Sequence, residues 1–405
     1  MIELLDTIIV ETTAVGTVSI AIFGAAFCLM QTCHSRVSRS FALFLMAIAI
    51  NSVPDALTQV LEPLPDRYAL IVDLVFWPSS FLLAPLFWLY VFLLTSSEQE
   101  KPTRLTRHFV LPAVSLVVAA MLLAGPATTL ESLSSDDQEL SSALGTVLLV
   151  LMALLQIAVF PQIAFYLIII VRRLSRFRLK LRDYYSSTEE YELRWIYVIG
   201  SLGFAFWLAM TLLLLGVLGF DEPPLSLVIL ASFAGFVLVV AITLWGIRQS
   251  PPLAPDTADA PQSKYTPPSG KYEKSALNSE AAERLSRKLR TAMEVDHLHR
   301  DANLSLWALA RHIGASSNYI SQTLNEVIGE SFFDFVNSYR VAEAKTLLAT
   351  TNESVLNITY DVGFNARSSF YNAFKRHTGQ TPTSYRKNMS KRDGLDDINR
   401  QVSNT

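Results

Sequence analysis

The chain has 405 residues, 51% hydrophobic and 17% charged, with a formal net charge of −3. The charged share is well below that of an ordinary soluble protein. The near-neutral balance excludes any case for nucleic-acid binding built on bulk charge, so such a case rests on local placement. Two cysteines, Cys28 and Cys33, exclude a disulfide framework, and the six histidines show no zinc spacing. The sequence therefore calls for no metal and no cofactor.

Between Ile8 and Ile247 the charges sit almost wholly in short connectors. Crossing the hydrocarbon core takes a helix of about 20 apolar residues. Seven segments are predicted as such helices, at about 8–30, 41–61, 69–94, 108–125, 143–171, 195–217 and 225–247. No Lys or Arg precedes the first apolar run, so it lacks the basic start of a secretory signal and is read as retained. Basic residues concentrate in alternate connectors: Arg36 and Arg39, then Lys101, Arg104 and Arg107, then Arg172, Arg173, Arg176, Arg178, Lys180, Arg182 and Arg194. The intervening connectors hold only Arg67. The positive-inside rule puts the basic connectors in the cytoplasm and the amino terminus outside. Seven crossings then leave the carboxyl-terminal region inside.

Pro54, Pro78, Pro85 and Pro161 interrupt spans, and each removes a backbone donor. Glu11, Asp55 and Asp73 fall toward the outer half of this topology, with Asn51 one helical turn before Asp55. Such acids at depth are candidates for an outward pocket taking a cation, a proton or an amine-bearing signal. The competing reading puts Glu11 and Asp73 at headgroup level and Asp55 beside a wet cavity.

Residues 1–248 are read as the transmembrane domain. A Pro- and Ser-rich stretch, 249–275, reads as an extended linker. Residues 276–300 hold an amphipathic helix with the apolar stripe Leu277, Ala281, Leu285, Leu289 and Met293, and a basic face of Arg284, Arg287, Lys288 and Arg290.

From 301 to 390 the pattern is of short helices, followed by a disordered tail at 391–405. Leu304, Leu306, Leu309, Ala310 and Ile313 are core candidates of one helix, and Gly314 comes next as a turn residue. Ser316 or Ser317 caps the next helix. There Ile320, Leu324, Val327 and Ile328 are expected inside and Asn318, Ser321, Gln322 and Asn325 outside. A helix, a short Gly turn and a polar-faced helix make a helix-turn-helix signature. The pattern recurs: Gly363 lies 49 residues after Gly314, while Gly379 lies 50 after Gly329, and Phe370 and Phe374 lie 50 after Ile320 and Leu324. A linking helix between the copies offers Phe332, Phe335, Val336, Tyr339, Ala342 and Leu347 for packing.

This stretch, about Asn303 to Asn388, resembles the DNA-binding domain of the AraC/XylS family of bacterial transcription regulators. The resemblance rests on Gly363-Phe364, Phe370, Phe374-Lys375, Gly379, Pro382 and Tyr385-Arg386 in the second copy. In the first half it rests on Leu309-Ala310, Gly314, Gly329 and the spacing of Arg340 and Ala344. It implies double-stranded promoter DNA as partner, and contact with RNA polymerase if the protein activates. It also implies a bacterial cytoplasmic membrane as the site of the spans. The expected architecture is all-α: a seven-helix transmembrane bundle, then a soluble helical domain with two helix-turn-helix motifs joined by a linking helix.

Asn318, Ser321 and Gln322 are the base-reading candidates of the first copy, and Ser368, Tyr371 and Asn372 those of the second. Asn and Gln suit paired hydrogen bonds to adenine. Ser317, Arg367, Lys375, Arg376 and Arg386 are candidates for phosphates, which position without reading sequence. The partners expected are DNA, the lipid bilayer, a small-molecule or ion signal and a second copy of the chain. The rival is a membrane transporter or enzyme with a regulatory helical tail, although the spans show no paired catalytic constellation.

Overall fold

A computed structural model describes residues 2–31, 35–96, 100, 102, 104–125, 143–188, 192–219, 225–249 and 279–389. Cys33, Leu277, the linker after Gln249 and the tail 391–405 lie outside the described residues. All described elements are helical, and the sole β feature among the described residues is an isolated antiparallel bridge between Tyr185 and Ser305. The chain divides into two units. One comprises Met1–Ser175 and Leu193–Ala254; the other comprises Arg176–Glu192 and Pro255–Thr405.

The first unit holds α1 (Ile2–Met30), α2 (Ser35–Asn51), α3 (Val53–Ala56), α4 (Thr58–Leu61), α5 (Asp66–Phe76), α6 (Ser80–Leu94), α7 (Val110–Ala124), most of α8 (Ala143–Leu181), α9 (Arg194–Gly219) and α10 (Leu225–Ile247). Five stretches are long and apolar enough to cross a membrane: Ile8–Met30, Asp66–Leu94, Leu105–Ala124, Leu144–Leu181 and Val228–Ile247. The other two expected spans are not among these five: the one at 195–217 falls within α9, whose side chains are described only as far as Leu208. Trp195–Leu208 is the described apolar part of α9. The segment expected at 41–61 is not one helix: α2 stops at Asn51, and α3 and α4 come after it as short pieces. Pro54 in the first turn of α3 has no N–H to continue the α2 ladder. Pro78 likewise places a 3-10 turn, Trp77–Ser79, between α5 and α6, whereas Pro85 and Pro161 lie within α6 and α8.

Here α1 packs on α2 and α10, α2 on α6, and α5 on α7. Leu74, Phe81, Val118, Leu122, Leu148 and Leu155 form a buried cluster. Along α8, Val147, Val150, Leu154, Ile157, Phe165 and Ile168 are instead exposed. An apolar surface on long apolar helices is compatible with association with a membrane. Arg173 is bound to the end of α6: it donates to Thr95 Oγ1 at 2.7 Å and Ser96 Oγ at 2.8 Å, and its guanidinium lies 3.9 Å from the Phe92 ring centroid.

The second unit contains α11 (Ser279–Glu294), a 3-10 turn (Leu298–Arg300), α12 (Leu306–Ile313), α13 (Ser317–Thr323) with a π turn (Leu324–Ile328), α14 (Phe332–Thr350), α15 (Val355–Asp361), α16 (Arg367–Thr378) and a final helix over 382–389. Four serines start four of these helices. Ser305, Ser316, Ser331 and Ser354 each accept from the backbone N–H three residues on, at 3.0–3.2 Å. Each satisfies an otherwise orphaned donor, which stabilises a helix by about 1 kcal/mol.

Two cores share α14. Phe332, Phe335 and Val336 join Leu285, Leu289, Met293, Leu306, Leu309, Ile320 and Leu324 in the first core. Val341, Ala344 and Leu348 join Ile358, Val362, Phe364, Phe370 and Phe374 in the second. Burying each large side chain contributes about 1.5–3 kcal/mol. Helix α11 thus belongs to the first core. Its buried stripe includes Ala282 where the four-residue spacing expected Ala281, which is exposed. Val327 is exposed rather than internal, because the π turn adds a residue and rotates the side chains within it off the α-helical register. Ala342 is exposed as well, since the buried face of α14 runs through Val341 and Ala344.

Candidate nucleic-acid interface

Each helix-turn-helix copy is built the same way. In the first, α12 ends at Gly314 (φ 66°), and α13 begins at Ser317. In the second, α15 ends before Gly363 (φ 96°), and α16 begins at Arg367. The residues matched by the repeat, Ile320 with Phe370 and Leu324 with Phe374, are all at most 1% exposed. Burial of those residues turns the polar face of each second helix outward.

On α13, Asn318 is exposed, while Ser317, Ser321 and Gln322 are half-buried. The helix is capped by Ser316 rather than Ser317. Gln322 Nε2 donates to Glu326 Oε2 at 2.9 Å, so part of its amide is already engaged. On α16, Ser368 and Asn372 are exposed beside exposed Arg367 and Lys375. Tyr371 is half-buried. Its hydroxyl lies 3.2 Å from Thr383 Oγ1 and accepts from Arg367 Nη2 at 3.2 Å. Thr383 first, and Arg367 after it, hold the Tyr371 hydroxyl below the usual phenol range against the opposing effect of burial.

Two of the cations are also bound within the protein. Arg376 pairs with Asp334 at the start of α14 and lies 5.7 Å from the Phe333 ring centroid. Arg386 is half-buried, with Nε 3.4 Å from the Leu348 carbonyl oxygen near the end of α14. The acidic candidates lie in the other unit. Glu11 is on α1, Asp55 on α3 and Asp73 on α5; α3 packs against both α1 and α5. Glu11 is half-buried, Asp55 and Asp73 are exposed, and Asn51 Oδ1 accepts from Ser79 Oγ at 3.3 Å.

The spacing of the copies is held by Arg340, which the sequence pattern marked only by its spacing from Ala344, and by Asn337, which it did not mark. Arg340 and Asn337 on α14 are 0% exposed. Arg340 Nε donates to the His299 carbonyl oxygen at 2.7 Å and Nη2 to the Asp301 carbonyl oxygen at 2.7 Å, and the guanidinium is 5.3 Å from the Phe364 ring centroid. One side chain therefore ties the 3-10 turn of the first half to the turn of the second. A signal was available, because Arg340 falls four residues after Val336 and four before Ala344, on the buried stripe.

Nearby, Glu343 accepts from His299 Nε2 at 2.6 Å and from Arg300 Nε at 3.2 Å. Burial pushes its carboxyl up, but the bonds to Arg300 and His299 outweigh it and hold the group below the ordinary carboxylate range. A depressed folded pKa contributes stability above the unfolded value that is lost as pH falls through the folded one. Thermal unfolding of this unit should thus occur more readily as pH drops below the usual carboxylate range. Glu343→Gln should be less stable at neutral pH and flatter across that window.

The family described as a helix-turn-helix domain matches residues 309–388. An uncharacterised HTH-type transcriptional regulator of Staphylococcus aureus (strain COL) is 38% identical over 90 residues, covering 22% of this chain and 12% of the relative. The arabinose operon regulatory protein of Escherichia coli (strain K12) is 28% identical over 113 residues, covering 27% of this chain and 38% of the relative. Among solved structures, the C-terminal domain of AraT, a response regulator from Geobacillus stearothermophilus, is 28% identical with a TM-score of 0.24, covering 26% of this chain and 88% of that one. The C-terminal domain of the response regulator yesN from Fusobacterium nucleatum is 29% identical with a TM-score of 0.23, covering 27% and 99%. The chain thus spans well under two thirds of the curated relatives it matches, and the relatives are transcriptional regulators, a family without enzymatic activity. Residues 309–388 of this chain are a helix-turn-helix domain of the AraC type.

Proposed function

We propose that the chain is a membrane-held, sequence-specific regulator of transcription. One observation carries this reading: two polar-faced helices, α13 and α16, are each backed by a core, and both cores are built on the single helix α14. Two recognition helices fixed on one rod suit successive major grooves about 34 Å apart. The apolar helices of the first unit support anchoring, and the basic connectors support a cytoplasmic second unit.

Asn372 is the strongest base reader, because it is exposed on α16 among groups suited to phosphate. Gln322 must exchange its bond to Glu326 before it can pair with adenine, so its contribution is smaller. Arg367 and Lys375 are the phosphate ligands. Arg376 serves both a phosphate and Asp334, and Arg386 secures the end of α14.

The test is selection from a duplex pool by the full chain in lipid nanodiscs. The recovered sites should hold two half-sites about 10 base pairs apart. Asn372→Ala should cost about 1–3 kcal/mol at the selected site and relax preference at one half-site. Lys375→Ala should weaken all sequences alike and reduce the salt slope by about 1. Equal losses from Asn372→Ala on selected and scrambled duplexes would remove its base-reading role. Failure of the full chain to enrich any duplex would remove the function itself.

A further inference from the structure

The second unit includes a piece of chain that the sequence assigns to a loop between spans, Arg176–Glu192. Helix α8 runs unbroken to Leu181, and the next residues, Arg182 to Thr188, are built into the helix-turn-helix unit. Carbonyls of alternate residues do the joining. The Arg182 carbonyl accepts from Phe333 N at 2.9 Å, and that of Tyr184 accepts from Leu306 N at 2.8 Å. Phe333 and Leu306 lie in the first turns of α14 and α12, where backbone donors have no partner within the helix. The Ser186 carbonyl accepts from Asn337 Nδ2 at 3.3 Å and Arg340 Nη1 at 3.2 Å.

Side chains complete the seat. Ser186 Oγ accepts from Arg340 Nη2 at 2.9 Å and donates to the Leu304 carbonyl oxygen at 2.8 Å, while Ser186 N donates to the same oxygen at 3.2 Å. Tyr184 stacks on Trp307 at 5.1 Å between centroids, and Tyr185 meets the same ring edge-on at 5.7 Å. Tyr185, Ser186, Ser187 and Thr188 are buried. A solvated loop would bring none of these bonds, and a polar segment buries its backbone only when its groups are satisfied.

The geometry points to a regulatory strap: Arg182–Thr188 seats on α12 and α14, completes the partners of Arg340, and so couples the fifth span to the spacing of the two DNA-reading copies. Arg340 is the link, because it also holds the turns of both copies. Unseating the strap leaves buried donors on Arg340, Phe333 and Leu306 without these acceptors and loosens one copy against the other. Loss of fixed spacing lowers the effective concentration of the second copy once the first has bound. Binding to a two-half-site duplex suffers, and non-specific binding through phosphates does not. The regulatory part rests on the proposed role as a DNA-binding regulator.

The experiment uses the full chain in lipid nanodiscs and the variant Tyr184→Ala/Tyr185→Ala, which removes the packing on Trp307. Hydrogen exchange reads the amides of Leu306, Phe333 and Ser186, and fluorescence anisotropy reads a selected and a scrambled duplex. The expected result is about tenfold faster exchange at these three amides and about tenfold weaker binding to the selected duplex alone. A second variant, Ser186→Pro, removes the donor to Leu304 without touching the aromatic rings and should give the same pattern at Leu306 and Phe333. Unchanged exchange in both variants overturns the strap. Faster exchange with unchanged preference for the selected duplex overturns its regulatory role. If the unaltered chain binds no duplex selectively, the DNA-binding role fails and the coupling with it, while the exchange data still decide whether the strap is seated.

Discussion

Arg340→Ala should lower the stability of the second unit by about 3–5 kcal/mol, because several buried acceptors lose their donor at once. The guanidinium is 0% exposed and bonds to carbonyls of Ser186, His299 and Asp301 as well as to Ser186 Oγ. Each buried group left without a partner costs about 1–3 kcal/mol. Arg340→Lys should recover little. A single ammonium has three donors on one atom and cannot span oxygens placed around a planar fork. Thermal unfolding of the second unit in the full chain, monitored by protease susceptibility, checks both. A loss below about 1 kcal/mol for the alanine variant would show that the site collapses or admits water, and that the node is not structural.

The second large effect belongs to a glycine. A Cβ at Gly363 would lie 2.5 Å from the His299 carbonyl oxygen and 2.8 Å from that of Arg300, with φ at 96°. Both neighbours are backbone, so neither can swing aside. Strain at such a φ adds about 1–3 kcal/mol, and forcing the turn away from 299–300 adds a similar amount. Gly363→Ala should therefore destabilise by about 3 kcal/mol or more and disturb the second copy against the first. Gly314→Ala is the control. It shares a positive φ of 66° but has open space around the added carbon, so it should cost only about 1 kcal/mol. Comparable losses from the two would mean that backbone conformation alone matters and that the contact with 299–300 does not.

The two glycines show how far a linear repeat can be read. The offset of 49 between them, against 50 for the flanking positions, marks both as turns and shows one extra residue in the second turn. It does not show that Gly363 touches 299–300 while Gly314 faces open space. The repeat likewise identifies Ile320, Leu324, Phe370 and Phe374 as inward, and all four are buried. It misplaces Val327, because a π turn arises from tertiary fit and leaves no trace in residue spacing. The second of the expected spans is broken into shorter helices for a local reason that the sequence did contain. Pro54, beside Asn51, Ser52 and Asp55, ends a helix where hydropathy averaged over the window continues one.

The candidate interface divides in the same way. Which residues on α13 and α16 face outward was legible, since a helix with an apolar stripe has only one polar side to offer. Which of them are already engaged was less so: Gln322 is bonded to Glu326, one helical turn on, a spacing the sequence does offer, whereas Arg376 is bonded to Asp334 and Arg386 to Leu348, pairs that residue spacing does not connect. Those two pairs span 42 and 38 residues.

By itself the sequence determined the two halves of this protein, the helical class, the repeat and the polar faces, because composition and period act over neighbouring residues along the chain. Only the tertiary structure decided that Arg182–Thr188 belongs with α12 and α14, and that Arg340 lies at their junction. Those bonds join residues up to 154 positions apart. A carbonyl that caps a distant helix is chosen by its position in space, and any residue type supplies one.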